Sequence, residues 1–145
     1  MKKENHPSWL VPFDIAKQLK EIGFSENTLF YRFSGDTDLK LSVADDVSLD
    51  YTLTIKDVEQ FNYNRRGFYL SIPTWEQVFA WFRKKGFYAY IKKKSIPDRY
   101  VFYIEYGMTI YSKENLRNEM LPKTYEEARK QLVEKLIELC KDENK

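Results

Sequence analysis

The sequence predicts an α+β fold in which about three helices cover one face of a largely antiparallel sheet, and three observations lead there. Apolar residues recur at helical spacing in three segments bounded by capping residues. Between them lie segments of period two, rich in β-branched and aromatic side chains. The links between successive strand segments are too short for parallel crossovers, which favours antiparallel pairing. A chain of 145 residues is of ordinary size for one core, so a single domain over residues 1–145 is expected.

The elements follow in the order helix, strands, helix, strands, helix. The first helix runs from Pro12 to Ile22: Pro12 suits a first turn, Ile15, Leu19 and Ile22 form one apolar side, and Gly23 followed by Phe24 reads as a left-handed stop closed by an apolar contact. Thr28–Phe33 and Leu39–Val43 flank Ser34-Gly35-Asp36-Thr37-Asp38 and read as a hairpin. Val47, Leu49, Tyr51, Leu53 and Ile55 alternate with Ser48, Asp50, Thr52 and Thr54, as in a strand with one buried and one wet face. Phe68–Ile72 is a further strand. Thr74 opens the second helix with Gln77 as its capping-box partner, and Trp75, Val78, Phe79 and Phe82 line one side until Gly86. Trp81 falls beside that stripe, at the rim of the core. Phe87–Lys93, Tyr100–Tyr106 and Met108–Tyr111 read as strands. The third helix repeats the capping box with Thr124 and Glu127, and its stripe runs Tyr125, Ala128, Leu132, Leu136, Leu139 and Cys140. Met1–Ser8 and Asp142–Lys145 are expected to be frayed tails.

Residue types scarce in the chain argue against most catalytic chemistry. His6 is the single histidine and lies in the polar N-terminal tail, so a serine or cysteine nucleophile lacks a well-held imidazole base. Cys140 is the single cysteine, which excludes an internal disulfide and a zinc site of the usual His and Cys type within one chain. The five glycines are too scattered to cradle a phosphate, and Asp36, Asp38, Asp45 and Asp46 read as turn aspartates rather than cation ligands. No catalytic residue, metal or cofactor is therefore expected. No apolar run approaches the ~20 residues of a membrane span, and the polar start does not resemble a signal peptide. A cytoplasmic protein without a membrane partner is the expectation.

Charge is unevenly spread beneath the net value of +2. Residues 1–60 carry 7 basic and 11 acidic side chains, residues 61–100 carry 9 and 2, and residues 101–145 carry 8 and 9. The middle is a basic block interleaved with aromatics. Its candidate anion- or nucleotide-binding residues are Arg65, Arg66, Arg83, Lys85, Tyr88, Tyr90, Lys92, Lys94 and Arg99, with Trp81 and Tyr69 as stacking or interface residues. Cations suit phosphates through charged hydrogen bonds, and tyrosine rings offer stacking faces to bases. With 17% of the chain aromatic, self-association into a homo-oligomer is also expected.

Several segments carry a family resemblance: Val11-Pro12-Phe13-Asp14-Ile15-Ala16, Leu19-Lys20-Glu21-Ile22-Gly23-Phe24, Trp81-Phe82-Arg83-Lys84-Lys85, Tyr125-Glu126-Glu127-Ala128 and Glu134-Lys135-Leu136-Ile137-Glu138-Leu139. They resemble small uncharacterised proteins of phages, prophages and mobile elements of Bacteroides-type bacteria. The resemblance implies an accessory gene acting in the host cytoplasm, where interference with host defence is a common role. The expected function is thus non-enzymatic: binding of an anionic ligand, either a nucleotide signal sequestered against host defence or a nucleic acid. The alternative is a protein–protein interaction module that blocks a host factor.

Overall fold

The computed structural model describes residues 6–33, 35–42, 62–65, 67–95, 98–112 and 117–143. The predicted strand Val47–Ile55 and the candidate Arg66 lie outside the described residues. The mixed class is as predicted, with helices α1 (Phe13–Glu21), α2 (Trp75–Lys84) and α3 (Tyr125–Glu143). The strands are β1 (Phe30–Phe33), β2 (Lys40–Leu41), β3 (Tyr69–Ile72), β4 (Phe87–Lys94), β5 (Arg99–Tyr106) and β6 (Thr109–Ser112). Among the described residues they do not join in one sheet. Two three-stranded antiparallel sheets form, in the orders β2-β1-β3 and β4-β5-β6. The chain divides into two compact units, Met1–Trp75 and Glu76–Lys145, each holding one sheet.

In the first unit the stop after α1 has the chemistry its sequence announced. Gly23 takes φ 94°, the Phe24 amide donates to the Leu19 carbonyl at 2.9 Å and the Gly23 amide to that of Lys20 at 3.1 Å. This is the Schellman arrangement, and Phe24 and Leu19 are both buried, as its apolar closure requires. The chain leaves it pointed back at the sheet, where β1 pairs with β2 on one side and with β3 on the other, Phe30 facing Ile72 and Arg32 facing Leu70. Partners opposite each other project to the same side of a sheet, and here that side meets α1: Trp9 packs edge-on to Phe30 and the Arg32 guanidinium lies 4.4 Å from the Phe13 ring centroid. Leu10, Val11, Ile15, Ala16, Leu19 and Ile72 fill the core between them.

On the other side of β1, Tyr31 stacks on Tyr63, which opens a short 3-10 helix Tyr63–Arg65, with ring centroids 4.0 Å apart. Polar side chains fix that helix to the sheet. Asn64 donates from Nδ2 to the Phe24 carbonyl at 2.8 Å and accepts from the Ser71 amide at 2.9 Å, while its own amide donates to Ser71 Oγ at 3.1 Å. The start of the described chain is held too. His6 donates from Nε2 to the Val11 carbonyl at 2.8 Å, and the Trp75 indole donates to the Ser8 carbonyl at 3.0 Å. The frayed tail expected through Ser8 is therefore tethered from His6 onward.

In the second unit α2 ends on Gly86 at φ 95°, whose amide donates to the Arg83 carbonyl at 2.9 Å. The helix α3 begins at the predicted cap: the Glu127 amide donates to Thr124 Oγ1 at 3.1 Å, and the Glu127 carboxylate reaches back to accept from the Lys123 amide at 3.3 Å. The return bond lands one residue before the cap, a variant of the expected box. Its buried stripe is broader than predicted because Val133 and Ile137 join Ala128, Leu132, Leu136, Leu139 and Cys140, whereas Tyr125 is 44% exposed. Helix continues to Glu143, into the segment expected to fray. Trp81, expected at the rim of the core, is only 6% exposed, because Lys85 folds over it with Nζ 4.6 Å from its ring centroid while Phe82 packs edge-on.

The strand register divides this second sheet into two faces. Phe87, Ala89 and Ile91 pair with Tyr106, Ile104 and Phe102, and this face carries α3. Phe87 meets Phe82 of α2 edge-on, and Tyr106 donates its hydroxyl to Glu143 of α3 at 3.4 Å. The Glu143 carboxylate beside it holds the Tyr106 phenol above its ordinary value. Both helices thus lie on one face of this sheet.

Candidate functional site

Alternation along β4 turns Tyr88, Tyr90, Lys92 and Lys94 to the face opposite the helices, and the register sets them against Glu105, Tyr103, Val101 and Arg99 of β5. Five of the candidate residues, Tyr88, Tyr90, Lys92, Lys94 and Arg99, therefore share one sheet face. Tyr88 is 56% and Tyr90 47% exposed, and Tyr90 stacks on Tyr103 at 5.0 Å with planes 17° apart. Lys92 is exposed, Lys94 and Arg99 are half-buried, and Val101 is buried. From Tyr88 to Lys94 the row extends about 20 Å at the ordinary rise of a strand.

The cationic end of this row is electrostatically uncomfortable. Lys94 and Arg99 stand directly opposite each other, and like charges in such a pair cost stability. Among the described residues neither forms a salt bridge. Asp98 pairs with Lys93, whose side chain belongs to the other face, at 3.3 Å, and gives Arg99 only its backbone carbonyl, to Nη1 at 2.9 Å. Among the described residues the buried Arg99 Nε has no hydrogen-bond partner. At the other end the face turns acidic, with Glu105 beside Tyr88.

Arg83 and Lys85, in the same unit, do not join this row. Arg83 forms an ion pair with Glu76 at 2.7 Å and lines a cleft with Phe79, Ala89, Tyr90, Ile91, Tyr125 and Leu132. Lys85 is spent on the Trp81 ring. Arg65 closes the 3-10 helix of the first unit, where Tyr69 also sits, tilted against Tyr31 and Tyr63 and edge-on to Phe33. Within the second unit, proximity in sequence proves a poor guide to proximity in space: strand alternation gathers Tyr88, Tyr90, Lys92, Lys94 and Arg99 on one face, while the helix turns Arg83 to Glu76 and Lys85 lies over Trp81.

Sequence reasoning also missed a set of cations. Lys17, Lys20 and Arg32 line an open cleft in the first unit together with Gly35, Gly67, Phe68, Tyr69 and Leu70. The signal was available in Arg32, which an alternating aromatic strand places on the side of Phe30 and α1, an unusual place for a cation. Among the described residues no group of three His, Cys, Asp or Glu side chains could hold a metal ion. Cys140 is buried, and burial pushes its thiol above the ordinary value, away from the reactive thiolate. No helix among the described residues is long and apolar enough to cross a membrane. No family model matches the chain, and no curated protein or solved structure matches it either.

Proposed function

We propose that the protein binds a single-stranded nucleic acid along the outer face of β4 and β5, with phosphates at Lys92, Lys94 and Arg99 and bases on Tyr88 and Tyr90. The observation that carries this reading is the like-charge pair Lys94–Arg99, opposed in register at one end of a row of exposed tyrosines. A phosphate placed there offsets the like-charge repulsion and accepts charged hydrogen bonds from Lys94 and from the outer guanidinium nitrogens of Arg99. The row is open and extended rather than enclosed, which suits a strand of several nucleotides better than one small signal. Stacking on tyrosine contributes ~1–3 kcal/mol per base without demanding a particular sequence. Such binding suits the accessory, anti-defence setting implied by the resemblance to phage and mobile-element proteins.

Fluorescence anisotropy with labelled single-stranded oligonucleotides tests it. Saturable binding that weakens steeply with salt is expected, because a polyanion releases counterions as its phosphates are neutralised. A mononucleotide should show a shallower slope. Failure of every oligonucleotide to bind at low salt would remove the proposal. The second reading, an interaction module that blocks a host factor, draws on Met108 in the β5–β6 turn and Ile110 in β6, large exposed apolar side chains. Substituting both with serine should then abolish capture of that factor and leave oligonucleotide affinity unchanged.

A further inference from the structure

We propose that the first unit carries a separate site for a nucleoside monophosphate, in the cleft between α1 and the β1–β3 side of its sheet. Lys17, Lys20 and Arg32 bring three cations to a space of about 290 Å³, and no carboxylate lines it among the described residues. That volume stands at the lower end of small-molecule clefts, ~300–1,000 Å³, and so fits a mononucleotide rather than a polymer.

Two of the three cations are held in place before any ligand arrives. Lys20 donates from Nζ to the Tyr69 carbonyl at 2.8 Å, and Arg32 donates from Nε to the Asp36 carbonyl while its guanidinium lies over Phe13. Among the described residues no partner takes the two Nη atoms of Arg32, the fork that matches two oxygens of a phosphate. Lys17 is exposed at the edge of the cleft, one helical turn from Lys20. Gly35 and Gly67 contribute wall without side chains, which lets a ligand approach the backbone. Phe68 is 71% exposed in the same lining. An aromatic face left in water beside a cationic cleft has a use when a base stacks on it. The phosphate thus lies at Arg32 and Lys17, and the base lies on Phe68.

Isothermal titration calorimetry with adenosine 5′-monophosphate, adenosine and inorganic phosphate tests this site without reference to the β4–β5 face. Saturable binding of the monophosphate is expected, with adenosine at least tenfold weaker. Lys17→Glu, at an exposed position where folding should not suffer, should weaken the monophosphate at least tenfold. Phe68→Ala should weaken the monophosphate while leaving inorganic phosphate unchanged. Arg32→Lys, which keeps the charge and loses the fork, should weaken both. Affinity for the monophosphate that Lys17→Glu leaves unchanged, equal affinity for adenosine, or no saturation on the order of 10 mM would overturn the proposal. Oligonucleotide binding that survives in Lys17→Glu would show the two sites to be distinct.

Discussion

In the second unit three strands consecutive in the chain pair as neighbours, and one long helix with seven buried side chains, Ala128, Leu132, Val133, Leu136, Ile137, Leu139 and Cys140, lies against them. In the first unit the central strand pairs Phe30 with Ile72, far along the chain, and polar side chains rather than an apolar stripe fix what lies beyond the sheet. The difference teaches where each unit is vulnerable. Apolar burial is non-directional and tolerates small shifts, whereas a buried amide that loses its partner loses the full cost of its desolvation.

The comparison can be broken first at its apolar end. Leu132 is fully buried, so Leu132→Ala should destabilise the second unit by about 2–5 kcal/mol. Hydrogen exchange of the β5 amides would read the effect. A loss under about 1 kcal/mol would mean that α3 is not what holds the sheet. At the polar end, Asn64→Ala strands the Phe24 carbonyl and the Ser71 amide, and should cost about 2–4 kcal/mol, seen as faster exchange in β1 and β3. Asn64→Asp, which keeps the acceptor and loses the donor, should fall between the variant and the parent. The cap of α3 supplies a smaller effect: Thr124→Ala should cost about 1 kcal/mol, measured by urea unfolding.

The same contrast explains what was legible in the sequence. The helices were, because caps and stripes are local: Gly23, Gly86 and Thr124 stand where the structure uses them. The strands of the second unit were legible for the same reason, since a meander needs only short turns. The division into two sheets was not, because the pairing of β1 with β3 depends on contacts between distant residues that periodicity does not encode. Trp81 was misplaced because a helical wheel counts apolar neighbours and ignores a lysine stem that can lie over an indole. In the candidate site, period two gathers Tyr88, Tyr90, Lys92 and Lys94 on one face as soon as β4 is recognised. What could not be read was the dispersal of Arg83 to a salt bridge with Glu76, seven residues back on its own helix, or the cleft that joins Lys17 to Arg32.

The smallest stability effect is the most telling, because its sign is opposite to the others. If Lys94 and Arg99 are kept together for an anionic ligand, then Lys94→Glu should raise stability by about 0.2–1 kcal/mol, as an opposed pair of unlike charge replaces one of like charge. The same variant should weaken single-stranded oligonucleotide binding at least tenfold, since a charged hydrogen bond to phosphate is worth ~1.5–3 kcal/mol. Anisotropy and urea unfolding on this one variant, at one salt concentration, test the central claim most directly. Weaker binding by a protein at least as stable as the parent is the predicted result; undiminished affinity in a well-folded Lys94→Glu protein would contradict it.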